Sequence, residues 1–227
     1  MSETQTLHFA SLKPPTRRLV GRLGTVLDDD FYLAGSAALA LYLDHRPVSG
    51  LDFMSAVHRL LPPQRRDLLQ LFLELDPEVR VETARDGYLF LRFAEAVPVR
   101  FYYYPYPLAA PLEVASAEVA DEAVQVASPL DLGLMKLGAI ISRGSRRDFV
   151  DLYLLRQVTS ITRLLEAAED KFGHVLDFPL QAMKALADRS QWSDQPLPEL
   201  RQPLDESDLI AWLDREIDTF STREIGI

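Results

Sequence analysis

Phe31-Tyr32-Leu33-Ala34-Gly35-Ser36-Ala37-Ala38, followed by Val48-Ser49-Gly50-Leu51-Asp52-Phe53, is the stretch on which the reading of the fold turns. An apolar run stops at a Gly-Ser pair, and an alanine-rich helix starts at once. The pair therefore sits at a helix N-terminus, where unpaired backbone N–H groups and the helix dipole favour an anion such as phosphate. A second short strand then carries a single carboxylate, Asp52. A helix N-terminus facing a carboxylate that can hold a metal ion is the minimum apparatus for handling a polyphosphate.

Upstream, Leu19, Val20, Leu23, Val26 and Leu27 recur at three-and-four spacing and predict an amphipathic helix over 16–27. Asp28-Asp29-Asp30 ends it and reads as a solvated turn, because three adjacent acids in a loop point in different directions. Downstream, strands are expected over 51–54, 79–83, 88–93 and 97–104, with a helix over 63–75; Asp86-Gly87 is a hairpin signal. This order makes a mixed sheet with helices packed on it. The composition changes after Pro111. A strand over 124–127 leads to Ser128-Pro129, an N-cap followed by proline at the first helical position, and the remainder reads as helices over 129–142, 146–157, 161–172, 179–189 and 206–220. The expectation is an α+β chain: an α/β domain over 1–127, then an all-helical domain over 128–227.

The chain has 227 residues, of which 48% are hydrophobic, enough for a sizeable core. It has no cysteine, and His8, His45, His58 and His174 are too scattered along the sequence to suggest a cluster, so zinc is not expected. No apolar run is long enough to span a bilayer and the first residues are polar, which points to a cytoplasmic protein with no membrane partner. A net charge of −10 excludes strong non-specific nucleic-acid binding. An RNA partner would have to meet a local basic patch, at Arg65-Arg66 or between Arg143 and Arg147. In Tyr102-Tyr103-Tyr104-Pro105-Tyr106, alternation places Tyr102 and Tyr104 on one face, a pattern of packing at a wet rim. No Walker, dinucleotide or Gly-x-Ser-x-Gly motif occurs.

Gly35-Ser36, Ser49 and Asp52, together with Asp131, Lys136, Arg143, Arg147, Asp148 and Asp151, resemble in order and spacing the AbiEii-type nucleotidyltransferases, a polymerase-β-like branch found as toxins in abortive-infection and type IV toxin–antitoxin systems. The resemblance implies a nucleotidyltransferase-like mixed sheet with flanking helices, and a site between the two halves. It implies transfer of an NMP from an NTP to a hydroxyl on RNA or protein, with magnesium as cofactor and an antitoxin as partner. Residue by residue it implies Gly35, Ser36, Ser49 and Arg143 on phosphate, Asp52 on magnesium, and Lys136 as a catalytic group on the triphosphate. Asp131, Arg147, Asp148 and Asp151 form the helical motif, which serves substrate or structure; Arg147 and Asp151 stand at i and i+4 and are spaced to bridge each other.

Two positions depart from that pattern. The family's paired carboxylates, Asp-x-Asp, lie two apart on a strand so that both face one side. Here the first of the pair is Gly50, and the strand over 97–104, where a third acid is expected, offers Arg100. Glu82 is the available substitute for the third acid. A degraded acidic triad raises a second reading, a pseudoenzyme that binds a nucleotide or a partner without catalysis.

Overall fold

The computed structural model describes residues 7–116, 123–192 and 194–225. Its contacts cluster into two compact units, Met1–Ser128 and Pro129–Ile227. Among the described residues no helix is long and apolar enough to cross a membrane.

The first unit is built on a seven-stranded mixed sheet. Its strands are β1 (Tyr32–Ala34), β2 (Leu51–Ser55), β3 (Arg80–Arg85), β4 (Tyr88–Arg92), β5 (Pro98–Tyr103), β6 (Glu113–Ser116) and β7 (Ala123–Val126), in the spatial order β3-β4-β5-β2-β1-β7-β6. Among the described residues three α-helices accompany it: α1 (Pro14–Gly24), α2 (Gly35–Leu43) and α3 (Pro62–Leu75). β1 runs antiparallel to β2, while β2 runs parallel to β5. The apolar run before Gly35 becomes β1, buried throughout near the sheet centre.

Alternation along the strands sorts the two faces of the sheet. Leu51 and Phe53 of β2, Val99 and Phe101 of β5, and Leu89 and Leu91 of β4 are all buried. Phe101 stacks on Phe53 and on Phe72 of α3, with ring centroids 5.4 and 5.2 Å apart. Aromatic packing of this kind adds to the burial of apolar area. The residues between them point the other way, and the register aligns Asp52 with Arg100 and Arg100 with Phe90 in one row across three strands. Tyr88 and Tyr102 pack together on neighbouring strands, with centroids 5.1 Å apart.

The short edge strand β6 is absent from the sequence reading. It has four residues and leaves Val114 65% exposed, so it shows neither a long apolar run nor a buried alternation. The hairpin at Asp86-Gly87 is present, with Arg85 facing Tyr88 and Gly87 at φ +77°.

Among the described residues the second unit holds the α-helices α4 (Pro129–Arg143), α5 (Arg146–Leu155), α6 (Ile161–Phe172), α7 (Phe178–Ala187) and α8 (Glu206–Phe220), the last running into a π-helical turn over Ser221–Ile225. Leu132, Leu137, Phe149, Leu152, Leu164 and Leu213 are among its buried core residues. Trp192 meets Phe149 edge-on at 4.8 Å, and Trp212 meets Tyr153 at 5.4 Å. Ser160 caps α6, its side chain accepting from the Arg163 amide.

Candidate functional site

β1 ends at Ala34, and Gly35 opens α2 with φ +61°, a left-handed conformation that glycine adopts at no steric cost. A second constraint acts at the same position: a Cβ on Gly35 would lie 2.7 Å from Oδ2 of Asp52. Asp52, the register partner of Ala34, thus presses directly against the start of the helix. The first two elements read from the sequence are therefore in contact. Ser36 is half-buried beside the turn. Ser49 is exposed, and its carbonyl accepts a 2.8 Å hydrogen bond from the Thr16 hydroxyl, which holds the entry to β2.

The protein itself brings a cation to this carboxylate. Nη1 of Arg100 is 3.5 Å from Oδ1 of Asp52, and its guanidinium lies over the Phe90 ring at 4.7 Å. Both charged side chains are partly open to solvent, 34% exposed for Arg100 and 26% for Asp52. A Cβ on Gly50 would be 3.8 Å from Nη1 of Arg100, and also 3.1 Å from Cγ and 3.3 Å from the carbonyl oxygen of Pro98. The family's two departures are thus neighbours in space: where a first carboxylate is missing, a guanidinium stands close by.

These residues do not fit a magnesium site of the family type. Magnesium is held by carboxylates and phosphate oxygens in near-octahedral geometry. Here one carboxylate remains, and it already faces a fixed positive charge. Glu82 does not make up the deficit. It lies on β3, the outermost strand and three places from β2, about 14 Å away at ordinary strand spacing, and pairs with Arg92 at 2.6 Å.

The helical motif is brought together inside the second unit. Nζ of Lys136 lies 2.7 Å from Asp151 and 3.0 Å from Asp148. Arg143 grips Asp148 with two nitrogens at 2.8 and 2.9 Å, and the Ser145 hydroxyl donates to the same carboxylate at 2.5 Å. Lys136 and Arg143, two turns apart on α4, do converge, but on Asp148 of α5. The expected bridge between Arg147 and Asp151 is replaced by the Lys136 pair, and Arg147 is exposed with no ion pair among the described residues. Asp131 is paired at 2.7 Å with Lys171 of α6, both side chains being fully buried. Lys171 is missed by the sequence reading, since an isolated lysine 40 residues from its partner gives no local signal.

Burial opposes the charge on Lys136, yet the Asp151 and Asp148 carboxylates outweigh it and hold its pKa above the usual value. For Asp148 burial acts upward, but the Arg143 hydrogen bonds, with Lys136 and Ser145, bring the carboxyl down from 3.8 to about 2. A depressed carboxyl contributes stability that is present above its unfolded pKa and is lost as the pH falls through its folded one. Here that window runs from about pH 4 down to about pH 2, and the contribution is about 2 kcal/mol. Urea unfolding between pH 5 and pH 2 is expected to show this loss, and an Asp148→Asn variant should have a shallower decline.

A third constellation lies at the other end of β1 and β2. Nε2 of His58 is 2.9 Å from Oδ2 of Asp28 and 3.8 Å from Oδ2 of Asp30. The triple aspartate is the exposed turn that the sequence suggests, and two of its three members lie beside one histidine.

The family model described as "Nucleotidyl transferase AbiEii toxin, Type IV TA system" matches residues 19–211. An uncharacterised protein of Aquifex aeolicus is 32% identical over 130 residues, 56% of this chain; the match spans 58% of that relative's length. Among solved structures, the chain is similar to the nucleotidyltransferase toxin MenT4 of Mycobacterium tuberculosis, with TM-score 0.61 and 17% identity, covering 89% of this chain and 80% of that one. It is also similar to a putative nucleotidyltransferase from H. pylori, with TM-score 0.53 and 18% identity over 98% and 97% of the two chains. At these identities the structural likeness establishes the fold.

Proposed function

The chain belongs to the AbiEii family of nucleotidyltransferase toxins, and from that premise we propose that it binds the polyphosphate of a nucleoside triphosphate at the Gly35–Ser36 turn without requiring magnesium, as a pseudoenzyme. The observation that carries this reading is the Arg100–Asp52 contact beside Gly50. A guanidinium offers five N–H donors in a planar fork suited to phosphate, and the Asp52 contact involves only one of its nitrogens. The N-terminal amides of α2 supply the helix-end half of the anion site, and Ser49 lies on the exposed approach. Asp52 orients Arg100. Lys136, Asp148 and Asp151 act in this reading as the ion-pair core of the helical unit, with Arg143 as its exposed cover.

Family membership also supports an antitoxin as the protein partner, and an RNA or protein hydroxyl as the acceptor should transfer occur. The discriminating assay is incubation with labelled NTPs, magnesium and total RNA. No label transfer is expected under any NTP. Transfer that disappears in an Asp52→Ala variant would overturn the reading in favour of a magnesium-dependent transferase.

A further inference from the structure

We propose that His58, Asp28 and Asp30 form a binding site for a borderline divalent cation of the zinc type, separate from the nucleotide site. Asp28 and Asp30 lie in the segment between α1 and β1, and His58 follows β2. Because β1 and β2 are antiparallel, both segments meet at the end of the sheet opposite Gly35 and Asp52, about 10 Å away along the three residues of β1.

The geometry distinguishes this trio from an ordinary ion pair. One ligand atom from each residue lies within 4.8 Å of the others. Ligands held by zinc at 2.0–2.2 Å in tetrahedral geometry stand about 3.4 Å apart, and the 2.9 and 3.8 Å separations from Nε2 bracket that value. Nε2 itself is buried and makes no hydrogen bond, although Oδ2 of Asp28 is 2.9 Å away. An imidazole N–H serving as a donor would align with its acceptor. A close approach without that alignment leaves Nε2 available to a cation shared with the two carboxylates.

The ligands are also held in place. The imidazole stacks on Phe31 at 4.5 Å, with 16° between the ring planes. Ser55 accepts from the Val57 and His58 amides at 3.1 and 3.0 Å, which fixes the segment that carries the histidine. The Asp30 amide donates to Oδ1 of Asp28, so Oδ2 is the oxygen left to face His58. One imidazole with two carboxylates suits zinc, cobalt, nickel or manganese better than magnesium or calcium, which prefer oxygen alone. Three protein ligands leave a fourth position for water or a small anion. The bound ion would join the segment before β1 to the segment after β2.

Calorimetric titration of the full chain, free of any affinity tag, with Zn2+ tests this. One equivalent is expected to bind and to raise the melting temperature. His58→Ala and Asp30→Asn should each weaken binding by at least about tenfold, since even loss of an outer-sphere partner costs that much. Asp30 is exposed, so its variant should fold even if the His58 variant does not. Asp52→Asn should bind Zn2+ as the wild type does. Absence of saturable binding, binding that survives both ligand variants, or binding lost in Asp52→Asn alone would overturn the site.

Discussion

Lys171→Met should lower the stability of the helical unit by about 3–5 kcal/mol, the cost of removing one member of a fully buried ion pair. Lys171 and Asp131 are 2.7 Å apart and neither side chain reaches solvent, so the remaining carboxylate would lose its lysine partner without gaining water in exchange. The penalty belongs to the stranded charge rather than to the pair, because desolvating two ions offsets most of their attraction. The double variant Asp131→Leu with Lys171→Met should therefore regain most of what the single one loses. Urea unfolding followed by circular dichroism checks both. A single variant costing less than about 1 kcal/mol, the range of an exposed pair, would show that the α4–α6 pair is not buried as described.

Arg100→Ala should reduce affinity for a nucleoside triphosphate by about 10- to 100-fold, the equivalent of a charge-assisted hydrogen bond of 1.5–3 kcal/mol. Arg100→Lys should fall between, since an ammonium keeps the charge but not the planar fork. The direction depends on what Arg100 does. If it only neutralises Asp52, removing it leaves a carboxylate at the mouth of an anion site and affinity also falls, but Asp52→Asn should then restore it in the double variant. If Arg100 contacts phosphate, the double variant stays weak. The second outcome is expected.

Much of this site is legible in the residue order. The Gly35-Ser36 turn, Asp52 on the following strand, the gap at Gly50 and the arginine at 100 all lie in short segments whose local periodicity defines an element and its faces. That Arg100 stands beside Asp52 depends on β5 pairing with β2 rather than with another strand, and strand neighbours far apart in sequence leave no local trace. The helical motif shows the same division. Its members are recognisable by spacing, yet the i, i+4 rule favours Arg147 with Asp151, whereas the packing of α4 on α5 gives that carboxylate to Lys136. Histidine 58, scattered in sequence, meets Asp28 and Asp30 only because β1 and β2 are antiparallel. β6 escapes notice because a four-residue edge strand buries too little to impose a pattern.

A guanidinium stands beside Asp52 where the family's pattern would place a metal ion. Calorimetric titration of the wild-type protein with ATP and with GTP, each in magnesium and in EDTA, tests it most directly. Saturable binding of at least one of them is expected, with the same dissociation constant in both buffers. Binding that appears only with magnesium would contradict it.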